Sequence, residues 1–207
     1  FHPTPMGHLG GRSLHAHRLT SIHPWHRKAG AVFVDVGAWS RPAYYEKASL
    51  SKLETIQAEA QAVHQSVGMI DGSTLGKVEV CGPDAAEFLE RFYTGLYADQ
   101  KVGKSRYILM LDELGVVVDD GIATRLGPEK FFVTISTSNA AAVYREMQRC
   151  LQMWGLNAVL INVTGAYGII NVAGPAASKV LNRLVDIDFS EEAFAMGMSK
   201  DATIQDV

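Results

Sequence analysis

Apolar residues recur along the chain at two alternating spacings. The stretch GAVFVDVGAWSRPAYY at 30–45 puts Val32, Val34 and Val36 on one side of an extended segment, the period-two pattern of a strand. SKLETIQAEAQAVHQSVG at 51–68 changes to helical spacing, with Leu53, Ile56, Ala60, Val63 and Val67 on one stripe. Ser51 followed by Glu54 supplies a capping box at its start, and Gly68 is expected to end the helix as its C′ residue. His64 reads as an ordinary surface residue of this helix. Between 106 and 136 the runs RYILML, GVVVDDGIATRL and KFFVTIS are separated by the short turns DELG and GPE, which predicts an antiparallel meander. SNAAAVYREMQRCLQMWG at 138–155 then predicts a helix with Asn139 at or near its N-cap and Gly155 as its stop.

An internal echo adds to this order. VEVCGPDAAEFLERF at 78–92 and INVAGPAASKVLNRL at 170–184 share Val80/Val172, Gly82/Gly174, Pro83/Pro175, Ala85/Ala177, Leu89/Leu181 and Arg91/Arg183. Each reads as a strand, a Gly-Pro turn and a helix, with proline expected at the first helical position. The fold class expected is α+β: antiparallel sheets with packed helices and two related strand-turn-helix units. Three segments follow from the pattern: an N-terminal arm with the first β segment at 1–50, an α+β subdomain at 51–155, and the start of a second α/β unit at 156–207. That last stretch ends in VDIDFSEEAFAMGMSKDATIQDV, which is acidic and lacks a regular period.

Composition narrows the classes. Of the 207 residues, 47% are hydrophobic, enough for a sizeable core, and the net charge of −3 comes without a basic stripe. Nucleic acid is therefore not an expected partner, and no apolar run is long enough to predict a membrane span. Cys81 and Cys150 have no metal-ligand or redox spacing, which fits a reducing, cytoplasmic setting. Six of the seven histidines fall in the Gly- and Pro-rich arm, at His2, His8, His15, His17, His23 and His26. Their spacings form no ligand pattern, so no metal is expected and an arm packed on a larger partner is. The start at FHPTP has no signal-peptide pattern and reads as the start of a fragment.

The chemistry concentrates at Asp119-Asp120, which interrupts a strand of Val, Ile and Ala where propensity disfavours aspartate. Neighbouring strand residues point to opposite faces, so one acid faces inward or towards a ligand. Either one faces solvent while the other pairs with Arg125 or Lys104, or one faces a pocket and handles a proton. Register matters here. If DELG is a four-residue loop, Leu111 pairs with Val116 and Tyr107 shares the face of Asp120; a one-residue bulge moves Tyr107 to the face of Asp119.

Four ordered stretches, IHPWHRKAGAVFVDVGAWSRPAYY, VGMIDGSTLGKVEVCGPDAAEFLERFYT, VGKSRYILMLDELGVVVDDGI and VAGPAASKVL, resemble successive signatures of the folate-binding aminomethyltransferase (glycine-cleavage T-protein) family. The leading FHPTPMGHLGGR and the form of the first stretch resemble the branch found in the carboxy-terminal region of sarcosine oxidase α subunits. The resemblance implies tetrahydrofolate as cofactor, and capture of the one-carbon unit from sarcosine demethylation as 5,10-methylenetetrahydrofolate. Flavin and NAD would belong to the rest of the parent complex, and the other sarcosine oxidase subunits would be the partners. It implies Asp119, the first acid of the Gly-x-x-x-Asp-Asp motif, as the catalytic group beside the pterin, with Tyr107 and Asp120 completing the cofactor contacts and Tyr107 on the Asp119 face. The family's Thr-Gly-Glu segment and carboxy-terminal barrel have no counterpart in these 207 residues, so a truncated fragment, inactive when isolated, is expected. The same motifs would serve a glycine-cleavage aminomethyltransferase or a non-catalytic folate-family scaffold.

Overall fold

The computed structural model describes residues 18–204. The first turn of chain, helix α1 (His23–Lys28), leads into the hairpin of β1 (Ala31–Val36) and β2 (Trp39–Tyr45), which forms a separate two-stranded sheet. Helix α2 (Lys52–Gln65) follows. Its capping box is present: the Glu54 amide donates to Ser51 Oγ at 3.4 Å, and the Ser51 amide donates to Glu54 Oε2 at 2.8 Å. Gly68 does not cap this helix, which ends at Gln65. It opens β3 (Gly68–Asp71), where a Cβ would lie 2.2 Å from the Val63 side chain. Glycine is needed there for close packing against α2 and not for a left-handed turn.

The main sheet has the order β5-β6-β7-β4-β8, built from β4 (Gly76–Cys81), β5 (Lys104–Leu111), β6 (Val117–Gly127), β7 (Lys130–Ile135) and β8 (Val159–Asn162). All its pairings are antiparallel, and β5-β6-β7 is the expected meander. Helices α3 (Ala85–Phe92) and α4 (Ala140–Trp154) cover one face. Val78, Val80, Ile108, Ala123, Phe131 and Val133 from the strands meet Phe88, Leu89, Val143 and Met147 from the helices in one continuous core. Gly155 ends α4 in the left-handed conformation, as its position predicted. The other face of the sheet carries Tyr107, Asp120, Ile122 and Phe132; it is open over β5 and β6 and covered at β4, where Lys77 and Glu79 are buried.

The echo is an interlocked pair of units. Helix α2 and strand β3, then β4 and α3, correspond to α4 and β8, then β9 (Ile170–Ala173) and α5 (Ala177–Leu181). Strand β4 pairs with β8, and β3 pairs with β9, so each unit contributes one strand to the partner's sheet. Gly82 and Gly174 hold the same position, with φ of 123° and 115°. A Cβ would lie 2.6 Å from the Asn157 carbonyl oxygen at the first and 2.5 Å from that of Ser66 at the second, so both turns need glycine for conformation and for contact. The prolines sit two residues before the first helical residue rather than on it, inside turns closed by Ala85 N–H to Gly82 O and Ala177 N–H to Gly174 O. The segment around Met198 adds one antiparallel bridge to the start of β5, with Met198 opposite Lys104: Ser105 N–H donates to Gly197 O at 2.7 Å, and Ser199 N–H to Gly103 O at 2.8 Å.

Candidate functional site

The β5-β6 connection decides which groups share a face. Asp112 closes it: its Oδ1 accepts from the Leu114 amide at 2.9 Å and the Val116 amide at 2.8 Å. Leu111 pairs with Val117, which leaves five residues in the loop, and Val118 is then extruded as a bulge before Met110 pairs with Asp119. Relative to the simplest hairpin the pairing has slipped by two residues. Two slips restore the original parity, so Tyr107, opposite Ile122, lies on the face of Asp120. The expected sharing of a face by Tyr107 and Asp119 is therefore not found.

The two acids have contrasting surroundings. Asp119 is 4% exposed and points to the helix-covered face. Its Oδ2 accepts from the Ser136 amide at 3.2 Å and its Oδ1 from the Asn139 side-chain amide at 3.1 Å, which ties β6 to the start of α4. Asn139 sits at the N-cap as expected, but its side chain bonds Asp119 and the Val118 carbonyl, and not the helix. Burial and the charge of Asp119 push the neighbouring Tyr93 phenol well above the ordinary tyrosine value. Asp120 is exposed on the open face, where its Oδ2 accepts from the Tyr107 hydroxyl and its Oδ1 from the Ser136 hydroxyl at 3.4 Å. That bond, more than the acid's charge alone, raises the Tyr107 phenol above its usual range. Neither acid pairs with Arg125, whose guanidinium donates to the carbonyls of Ala98, Gln100 and Pro128.

Tyr107 is 66% exposed and Ile122 46%, which gives the open face an aromatic ring and an apolar floor beside a carboxylate. Further along, Glu79 and Lys130 form an ion pair at 2.8 Å, and Phe132 meets Tyr167 edge to face at 5.7 Å. This combination can hold a flat, nitrogen-bearing ring: stacking on the phenol, and donation of ring N–H groups to Asp120.

A second polar cluster was not anticipated from the residues. His26 Nε2 lies 3.0 Å from Asp71 Oδ2, and its Nδ1 lies 2.7 Å from the Tyr45 hydroxyl, with the His26 and Asp71 side chains almost wholly buried. Burial pushes the Asp71 carboxyl up, but hydrogen bonds from Ser73 and His26 outweigh it and leave the group below the ordinary range. Burial lowers the nearby Lys77 ammonium, whose Nζ donates to the Ser73 and Leu75 carbonyls. The cluster borders a cavity of about 180 Å³ lined in part by Thr20, Trp39, Ser73, Thr164 and Tyr167. Its only signal in the sequence is that His26 and Asp71 fall in two of the stretches that carry the family resemblance, IHPWHRKAG and VGMIDGST. Among the described residues no three His, Cys, Asp or Glu side chains cluster in a way that could hold a metal, and no helix is long and apolar enough to cross a membrane. His2, His8, His15 and His17 lie outside the described residues.

The chain is 41% identical over 201 residues to the sarcosine oxidase subunit alpha of Corynebacterium sp. strain U-96, covering 96% of this chain and 21% of that protein. It is 31% identical over 188 residues to the aminomethyltransferase of a Listeria monocytogenes strain, covering 91% of this chain and 49% of that protein. It thus spans about a fifth of the first relative and about half of the second. The solved aminomethyltransferase T of the Bartonella henselae glycine cleavage system superposes with a TM-score of 0.69 at 27% identity, over 80% of this chain and 43% of that one. Heterotetrameric sarcosine oxidase from the same Corynebacterium strain shares the fold, with a TM-score of 0.52 at 16% identity over 72% of each chain. The sequence model of the GCVT N-terminal domain matches residues 22–207, nearly all of the described region, and the chain belongs to that family.

Proposed function

We propose that this chain is the tetrahydrofolate-binding region of a sarcosine oxidase α subunit, where the one-carbon unit released by oxidative demethylation is captured as 5,10-methylenetetrahydrofolate. The observation that carries this reading is the bonded pair Tyr107–Asp120 on an open sheet face, beside Ile122. Tetrahydrofolate supplies the nucleophilic nitrogen that accepts the carbon. Tyr107 stacks on the flat ring, Ile122 underlies it, and Asp120 accepts its N–H groups and is placed to take up a proton as the nitrogen reacts. Asp119, first in the motif, faces away and holds the scaffold. The catalytic role thus falls to Asp120, because an acid with both oxygens engaged behind the sheet does not reach a ligand in front of it. Flavin and NAD, the other subunits and a cytoplasmic setting belong to the same reading, supported by the 41% identity to a sarcosine oxidase α subunit.

The test is an amide NMR titration of the chain with tetrahydrofolate, which registers the weak binding expected of a region spanning part of its relatives' length. Shifts should concentrate at Tyr107, Asp120 and Ile122 and vanish in Asp120→Ala. No shifts at millimolar tetrahydrofolate, or shifts unaffected by Asp120→Ala, would remove the assignment. A glycine-cleavage aminomethyltransferase is the second reading, favoured by the T-protein superposition. Methylenetetrahydrofolate formation from a lipoyl-bound aminomethyl donor, without sarcosine, would select it.

A further inference from the structure

Ser136 lies one residue beyond β7, at the rim of the sheet, where it touches both aspartates although they face opposite ways. Its amide donates to Asp119 Oδ2 at 3.2 Å and its hydroxyl to Asp120 Oδ1 at 3.4 Å. The β6-β7 ladder does not extend this far: the pairing runs from Gly127 and Lys130 to Ala123 and Val133. Beyond it, the Ile122 amide donates to the Thr134 hydroxyl at 2.9 Å, and Asn139 holds the Val118 carbonyl and Asp119 at 3.1 Å each. Side chains have replaced the ladder over residues 118–122, so the direction of the Asp120 carboxylate is set by them. On its other oxygen Asp120 is held by Tyr107 alone.

We propose that Asp119 and Ser136 are positioning residues: the buried acid fixes the backbone of Ser136, and the Ser136 hydroxyl then fixes the orientation in which Asp120 is presented beside Tyr107. As a statement about ligand affinity this rests on the reading of the open face as the tetrahydrofolate site; as a statement about the aim of Asp120 it does not. The hydroxyl is one of two groups orienting a carboxylate that is free to rotate on an exposed strand face. Removing it costs little stability but spreads the carboxylate over several rotamers, and each rotamer away from Tyr107 is lost to a bidentate grip.

The test compares Ser136→Ala, Ser136→Thr and Asp119→Asn with the unmodified chain in two measurements. One is the ionisation midpoint of Tyr107, read by ultraviolet difference against Tyr107→Phe, which needs no ligand. The other is tetrahydrofolate affinity by NMR titration. Ser136→Ala should move the Tyr107 midpoint back towards the ordinary tyrosine value and weaken tetrahydrofolate about fivefold, the loss of one hydrogen bond to a charged group being partly compensated by solvent. Its thermal midpoint should stay within about 2 °C of the unmodified chain. Ser136→Thr, which keeps the hydroxyl, should restore both, and Asp119→Asn should reproduce the Tyr107 shift because an amide puts a donor against the Ser136 or Asn139 donor. A Tyr107 midpoint and an affinity both unchanged in Ser136→Ala would overturn the proposal. A shifted Tyr107 midpoint in a chain that binds no tetrahydrofolate would uphold the positioning and overturn the ligand.

Discussion

Asp119 and Asp120 are one peptide unit apart, yet one is walled in by amides and the other meets solvent and a phenol. Substitution should separate them. Asp120→Asn removes the charged acceptor that raises the Tyr107 phenol, so the tyrosine midpoint should fall towards about 10 in an ultraviolet titration, with thermal stability unchanged. Asp119→Ala instead removes the acceptor of two half-buried donors, the Ser136 amide and the Asn139 side chain, of which the second keeps the Val118 carbonyl, and should cost roughly 1 to 3 kcal/mol in urea unfolding. Gly121 governs the gap beside both. A Cβ there would lie 2.0 Å from the Thr134 carbonyl oxygen, a clash that requires β6 and β7 to part. Gly121→Ala should therefore cost about 1 to 3 kcal/mol and weaken whatever ligand Asp120 holds.

Helix α2 tests how far local pattern reaches. Its capping box lies on an exposed surface with few tertiary contacts, so Ser51→Ala should cost about 1 kcal/mol, read as a lower thermal midpoint. That box, the left-handed stop at Gly155 and the β5-β6-β7 meander were legible because each depends on residues close in sequence. Strands β3 and β8 were not: each has four residues and takes its partner from about a hundred or from eighty residues away, a length too short for any period to register. For Tyr107 the simplest hairpin reaches the observed face, beside Asp120, through two errors that cancel, while the family resemblance implied the other face. One extra residue in the loop and one bulge each invert the face, and their sum depends on the Asp112 side chain closing a five-residue turn. The His26–Asp71 contact spans 45 positions, and only the place of both residues in family-like stretches hinted at it.

At the scale of the whole chain the interlocked units explain why the buried His26–Asp71 pair sits where it does. Exchanging strands makes β3 the partner of β9 while its own unit continues into β4 of the main sheet, so Asp71, the last residue of β3, stands at the junction of the two sheets. His26 reaches it from α1 and binds Tyr45 of the β1-β2 hairpin with its other nitrogen, joining the third sheet to that junction. Without the pair the hairpin is held to the rest by its contacts with α2, among them the Tyr45 amide donating to Glu59 at 2.8 Å. Removing one partner leaves the other polar and buried, so His26→Ala should cost about 3 to 5 kcal/mol in urea unfolding. The dependence on pH has a definite sign. The folded Asp71 carboxyl lies below the ordinary value, so as pH falls the unfolded chain takes up this proton first, and the group's contribution is present above the unfolded pKa of about 4 and lost below it, through the folded value. The stability difference between the unmodified chain and Asp71→Asn should accordingly narrow as the pH drops below about 4. A difference that stays level down to pH 3 would show that the carboxylate charge contributes nothing to the junction, and that His26 is held there by packing and the tyrosine alone.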